Sequence, residues 1–347
     1  MAFTYYSPIS VNAAQVPSTQ TDFPILISVT DNRFKSVGNG GHVQSSSGFD
    51  IRPYSDSGLT TAITGYELER YNATTGEVVM WVKIASLSSS TTPVYLAYGD
   101  SGISTDSSST TTWSNSFTAV YHLKDGTTLS VADSTAGSHT GTNSGVVTAT
   151  AGKIDGGGGF VSASSQYIDT TSSVSSVAVT LSAWVKATSF PNAYNCAIGW
   201  NGSNVNYARL MVKSTGKLAM YTNVANYDGT GTNTLSTATF YYLAMTYSSS
   251  AGLVGYVNGA SDGTAAAGAA LFVGSLISAI GRDAFNTGTF WNGVIDEGRY
   301  ASVVRSANWI TTEYNNQNAP GTFATLGTEV NVGGGPVRNS NWLLFFT

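Results

Sequence analysis

The chain has 347 residues, enough for two medium domains, and a net charge of −5 from 15 basic and 20 acidic residues. With no run of Lys or Arg, it offers no electrostatic footprint for nucleic acid or an anionic membrane surface. Ser, Thr, Gly and Asn dominate, and 19 Tyr, 14 Phe and 7 Trp favour pleated strands over helices, so the predicted fold is all-β.

The opening MAFTYYSPISVNAAQVP has no basic region followed by an apolar one, and is not read as a secretory signal. Residues 1–100 alternate apolar runs with turn clusters: FPILISV (23–29), GYELERY (65–71), EVVMWVKI (77–84) and TPVYLAYG (92–99). Each run has strand length, which predicts a small N-terminal β-sandwich. Residues 101–112 are Ser/Thr-rich without hydrophobic periodicity and read as a flexible linker.

A longer set of strand-like runs fills residues 113–328. In one of them Leu181, Ala183 and Val185 alternate with Thr180, Ser182, Trp184 and Lys186, the pattern of a strand in two stacked antiparallel sheets. Cys196, beside Ala197 and Ile198, is expected to be a small buried residue, and a single cysteine cannot form an intramolecular disulfide. One segment argues for a short helix: Ser306 can cap it, Trp309, Ile310 and Tyr314 fall near helical spacing, and NNQNAPG ends it. Residues 329–347 form a Gly-rich hinge and an apolar tail ending NWLLFFT. No apolar run reaches the about 18 residues that a membrane span needs.

Only six glutamates occur, and the sole adjacent carboxylates are Asp296 and Glu297 in WNGVIDEGRY. A glycosidase needs two carboxyls converging on one bond, whereas neighbours on a regular strand point to opposite faces. Asp296 is therefore expected to turn inward or toward a loop, and Glu297 outward to a base such as Arg299 or Arg305. Glu67 and Glu69 alternate on one strand face and read as its solvated side. His42, His122 and His139 lack the spacing of a zinc protease, no Gly-x-Ser-x-Gly is present, and GGGGF (156–160) is a turn rather than a phosphate cradle. No catalytic residue is assigned, and the chain is expected not to be an enzyme.

Through FDIRPYSDSG (49–58), YELERYNATTGEVVMWVKI (66–84) and TPVYLAYGD (92–100), the first unit resembles the DUF2341 family. AVYHLKDG (119–126), TLSAWVKA (180–187) and NGVIDEGRYASVVRSANWITTEYNNQNAP (292–320) resemble the concanavalin A-like, laminin G-type jelly rolls. Two positions depart from that pattern: Val161 and Ser162 follow Phe160 where Asp and Gly are usual, and Gly298 replaces a usual valine. The resemblance implies a jelly-roll sandwich with a structural calcium at its edge, drawing on Asp125, Asp133 and Asp296. The competing reading is turn chemistry, with Asp125-Gly126 in a hairpin and Asp133 opening an Asx-turn.

Binding is the activity the composition equips best. Tyr194, Trp200, Tyr207, Tyr227 and Trp291 sit among short polar residues, as in sites where sugar rings stack on aromatic faces; each is equally readable as a core residue. The expected function is a non-catalytic adhesion or glycan-binding protein on a virion or other extracellular surface. Other virion proteins would be met through residues 333–347, with self-association possible. A ligand-free structural protein and a polysaccharide hydrolase are the alternatives.

Overall fold

The computed structural model describes residues 3–333 except 89–93, 125–127, 171–176, 204–205, 224, 269–270, 272–276, 284–285 and 287. The fold is all-β, with antiparallel strand ladders throughout its four sheets and short helical turns between strands.

In the N-terminal unit, strands Gln20–Thr30, Glu77–Leu87 and Tyr66–Asn72 form a three-stranded sheet in that order. Phe23, Ile25 and Ile27 pair with Ile84, Val82 and Met80, so the alternation of both runs turns one apolar face inward. That face meets a second sheet containing Tyr5–Val11, Val94–Tyr98 and Arg52–Tyr54, over a core that includes Ile9, Phe34 and Leu96. Two further strands of this second sheet come from the far end of the chain: Ile9 pairs with Leu326 and Tyr5 with Asn331. Glu329 accepts from Tyr98 Oη at 2.6 Å and meets His42 Nδ1 at 2.8 Å, so the chain's return is tied by side chains as well.

The polar segment 101–112 is docked rather than loose. Ser108 Oγ accepts from Leu68 N, Ser109 N donates to Tyr66 O, and Ser109 caps the helical turn Thr110–Trp113. The Ser108 hydroxyl and the Ser109 backbone N–H thus occupy backbone groups that the edge strand Tyr66–Asn72 would otherwise leave open.

The second unit is a two-sheet sandwich. Its eight-stranded sheet runs Ala260–Ala265, Gly252–Val257, Phe240–Ser248, Ala178–Ala187, Gly293–Ala301, Gly156–Phe160 and Thr148–Ala151, and Phe117–Tyr121 also pairs with Gly293–Ala301. The seven-stranded sheet runs Asn226–Tyr227, Leu218–Thr222, Asn206–Lys213, Tyr194–Ser203, Ile277–Ile280, Tyr167–Thr170 and Thr142–Ser144. Leu181, Ala183 and Val185 enter the core between them, as the alternation predicts, with Ile198, Leu210, Met220 and Ile295. Gly298 faces this core too: a Cβ there would stand 3.0 Å from Ile280 Cδ1, which explains why a valine does not fit.

The other face of Ala178–Ala187 is buried as well, because helix α1 (Ala307–Asn318) and the N-terminal unit cover it. Ser306 caps α1 by accepting from Trp309 N at 3.1 Å. Trp309 packs on Phe23, and Trp184 Nε1 donates to Gln317 Oε1 at 2.6 Å. The two units therefore share one apolar cluster that runs from Ile9 and Ile25 to Trp184, Tyr242 and Ile310.

Candidate functional site

The adjacent carboxylates do not diverge. Ser182 pairs with Arg299 but Trp184 pairs with Asp296, so Glu297 and Gly298 together oppose Ala183 in a β-bulge, with Glu297 at φ +53°. This corrects the face assignment drawn from simple alternation: the extra residue returns Glu297 to the side that Asp296 already faces. Asp296 is fully buried, and its Oδ2 accepts from Lys153 N at 2.8 Å and Ile154 N at 2.9 Å. Gly152 leaves room for that contact, since a Cβ there would stand 2.6 Å from the same oxygen. Burial first, and the Glu297 charge next, push the Asp296 carboxyl well above the usual carboxylate range.

Glu69, beside a second bulge between Leu68 and Arg70 against Glu77–Leu87, shares the face of Glu67 as alternation predicts, but that face is not solvated: Trp113, Val120 and His122 cover it. Glu69 is 6% exposed, and its Oε2 accepts from Trp81 Nε1 at 2.6 Å. Around it gather Glu67, His122 (immediately after strand Phe117–Tyr121), Glu297 and Arg299 from strand Gly293–Ala301, and Glu313 from α1. Four of the chain's six glutamates meet in this one place at the boundary of the units.

His122 is the hub. Its Nδ1 lies 2.7 Å from Glu297 Oε1 and 3.5 Å from Glu69 Oε2, and its Nε2 lies 3.3 Å from Glu67 Oε2. Arg299 forks between Glu297 Oε2 (Nη2, 2.6 Å) and Glu313 Oε1 (Nη1, 2.6 Å), over the rings of Trp81 and Trp113. Burial opposes a charged imidazole, but Glu297, Glu69 and Glu67 hold His122 well above its ordinary value. Burial likewise opposes ionisation of Glu67, yet the charge and hydrogen bond of His122 bring it down to about 2. In Glu69 burial wins, and its carboxyl is pushed up to about 8.

Glu67 and His122 also line a cleft of about 250 Å³ with Lys124, Asp133 and Ser134. Residue spacing hid this cluster because its members come from four separate elements. The available signals were the glutamate scarcity itself and a histidine placed after the apolar strand FTAVY.

Of the residues expected to hold calcium, Asp125 lies outside the described residues. Asp133 is engaged by the protein: Oδ1 accepts from Val120 N (3.0 Å) and Thr135 N (2.9 Å), while Oδ2 accepts from Thr135 Oγ1 (2.9 Å) and His139 N (2.9 Å). That is the Asx-turn reading of Asp133. Asp296 serves the turn at Lys153 and Ile154 instead, so the two carboxylates do separate jobs.

The five aromatic candidates also divide. Trp200 (1% exposed) and Trp291 (0%) lie inside the sandwich, and Tyr227 (8%) donates its hydroxyl to Asp262 O. These three are core residues, because the packing of the two sheets leaves no ring face for a ligand. Tyr194 and Tyr207 are half-buried, and both stand on the outer face of the seven-stranded sheet.

There Tyr194 and Tyr221 meet edge to face at 5.5 Å, and both donate to Asp228 Oδ1, at 2.9 and 2.6 Å. Lys213 Nζ sits 3.1 Å from Asp228 Oδ2, while Cys196, Met211 and Ala219 form the floor. Arg209 stacks on Tyr207 and Arg282 on Tyr167, at 3.8 and 3.5 Å, extending the same face. The Asp228 side chain is 54% exposed, and the hydrogen bond from Tyr221 lowers its pKa despite some burial. Tyr221, Asp228 and Lys213 were not singled out in the sequence; alternation in KLAMYTN puts Tyr221 beside Ala219 but does not say which face is open.

Residues 155–311 match the family model Laminin_G_3, the concanavalin A-like lectin/glucanases superfamily, and form the corresponding jelly roll. No curated protein sequence matches the chain. Among solved structures the chain is similar to Domain 4 of AbnA, an extracellular arabinanase from Geobacillus stearothermophilus in complex with arabinotriose. The identity is 19% and the TM-score 0.47, covering 56% of this chain and 96% of that one. It is also similar to the binding domain of Paraclostridial Mosquitocidal Protein 1 (11% identity, TM-score 0.45) and to the receptor binding domain of botulinum neurotoxin type G (12%, 0.42). In both cases 58% of this chain is covered, and the chain spans about half of the other, 52%.

Proposed function

We propose that the protein is a non-catalytic carbohydrate-binding and adhesion protein, and that its ligand lies across the outer face of the seven-stranded sheet. The observation that carries this reading is the cluster of Tyr194, Tyr221, Asp228 and Lys213. Two tyrosines, an exposed carboxylate and an ammonium stand within hydrogen-bond or ring contact of one another on an open face. Sugar rings offer C–H faces to aromatic rings and hydroxyls to fixed charges, and this cluster supplies both. The fold alone would not support the assignment, since folds of this kind host unrelated functions.

A glycan array on the intact protein tests it. Tyr221→Ala is expected to weaken binding of any captured glycan about tenfold or more, because it removes a ring face and the hydroxyl that anchors Asp228. Trp200→Phe, inside the core, is expected to leave affinity unchanged. Binding unaffected by Tyr194→Ala and Tyr221→Ala together would remove the tyrosine face from consideration, and an array with no hits would favour a ligand-free structural protein. Polysaccharide turnover that disappears with Glu67→Gln would replace adhesion by hydrolysis.

We place this activity on a virion or other extracellular surface, with the DUF2341-like N-terminal unit as the platform. The chain leaves that unit at Gly333, whose N–H meets Thr4 O at 3.4 Å, and residues 334–347 lie outside the described residues. The apolar stretch Trp342–Phe346 is our candidate anchor to a particle. Unchanged particle attachment after deletion of 334–347 would sink that role.

A further inference from the structure

We propose that Glu69, His122 and Glu297 form a binding site for one divalent transition-type cation of the zinc class, clamping the N-terminal unit to the jelly roll. Each residue offers a ligand atom, and the three atoms lie within 4.8 Å of one another. One imidazole nitrogen with two carboxylates suits such an ion better than calcium, which takes six to eight oxygens.

The spacing is close to what coordination requires. Ligands about 2.0–2.2 Å from a tetrahedral ion stand roughly 3.3–3.5 Å apart. His122 Nδ1 and Glu69 Oε2 are already at 3.5 Å, and the 2.7 Å contact between His122 Nδ1 and Glu297 Oε1 has to open. That contact holds the proton which the cation would replace, so binding exchanges a proton on His122 for the metal.

An unpartnered oxygen of Glu69 points to a ligand rather than to a self-contained ion-pair network, and the surrounding charges agree with it. Glu69 Oε1 is buried with no hydrogen-bond partner, in a side chain that is 0% exposed, a costly state for a carboxylate oxygen. Glu67, Glu69 and Glu297 share a single imidazole, while Arg299 is divided between Glu297 and Glu313, and Lys124 reaches only the backbone oxygen of Glu69. Finally, Glu67 contacts the opposite ring nitrogen, Nε2, and is itself fixed by Trp113 Nε1 (2.7 Å) and Ser134 Oγ (2.9 Å). A carboxylate behind a ligating histidine in this way sets its tautomer and leaves Nδ1 free for the ion. The cleft lined by Glu67 and His122 reaches the Nε2 side of the imidazole.

The test uses the full chain stripped with EDTA, dialysed, and titrated with ZnCl2 by calorimetry, with elemental analysis and thermal melts alongside. The expected result is one Zn2+ per chain, proton release and a raised Tm. Glu69→Gln, a nearly isosteric variant, should lower affinity at least 100-fold, His122→Asn should abolish uptake, and Glu67→Gln should weaken it 10- to 100-fold. His42→Asn, remote from the cluster, should leave Zn2+ uptake unchanged. If His122→Asn does not fold, the Glu69→Gln protein decides. Absence of stoichiometric uptake by the wild type, or uptake unchanged in folded Glu69→Gln, overturns the proposal.

Discussion

Arg299→Met is expected to destabilise the protein by about 3–5 kcal/mol, because it strips the guanidinium from two buried carboxylates at once. Arg299 is 2% exposed; Nε and Nη2 donate to Glu297 Oε2, and Nη1 donates to Glu313 Oε1. Methionine fills much of the same volume over Trp81 and Trp113, so the loss measures uncompensated charge more than a cavity. Arg299→Lys should fall between the two, keeping the charge but losing the fork that spans both carboxylates and the ring stacking. Denaturant unfolding followed by tryptophan fluorescence reads the difference. A cost below about 1 kcal/mol for Met would mean that Glu297 and Glu313 are neutralised by something other than Arg299.

Asn316→Leu is expected to cost about 2–6 kcal/mol although it removes only one side chain. Asn316, on α1, acts as a substitute strand for the open edge of Gln20–Thr30. Its Oδ1 accepts from Leu26 N at 2.6 Å and its Nδ2 donates to Leu26 O at 2.9 Å. Both residues are buried, so leucine strands a backbone donor and a backbone acceptor without water, each worth about 1–3 kcal/mol. Asn315→Ala, next along the helix, loses one half-buried bond to Gln15 O and should cost about 0.5–1.5 kcal/mol. Hydrogen exchange at the Leu26 amide gives a local check: it should accelerate in Asn316→Leu and stay slow in Asn315→Ala. Equal costs for the two variants would show that the edge of the sheet does not depend on Asn316.

Both residues matter because the units are joined by many small polar devices around a shared apolar cluster, rather than by a single greasy face. The docked Ser108 and Ser109, the strands Ala324–Leu326 and Val330–Asn331 on the first unit, and the acid cluster all lie along this boundary. The outer face of the seven-stranded sheet, which carries the tyrosine cluster proposed to bind glycan, is left open by this arrangement.

Local chemistry was enough for the all-β class, for the inward row Leu181, Ala183 and Val185, and for the capped helix at Ser306. In each case the deciding interaction lies within a few residues: a pleat of period two, or a hydroxyl accepting from an amide three residues on. Asp133 belongs with them, since an Asx-turn closes over its own neighbours. The surroundings of Glu69 and Glu297 were not decided locally. A bulge is a mismatch between two strands, so it depends on a partner far along the chain, and the extra residue at Glu297 turns its carboxylate away from the core that Ala183 enters. Glu69 keeps the face of Glu67, and only the arrival of Trp113, Val120 and His122 buries that face. The same holds for the aromatics: Trp200 and Tyr221 both sit in alternating strands, and only the stacking of one sheet on the other makes the first core and the second a surface ring. Periodicity sorts side chains into two faces; tertiary packing alone chooses which face is covered, because burial is a property of the neighbour that arrives.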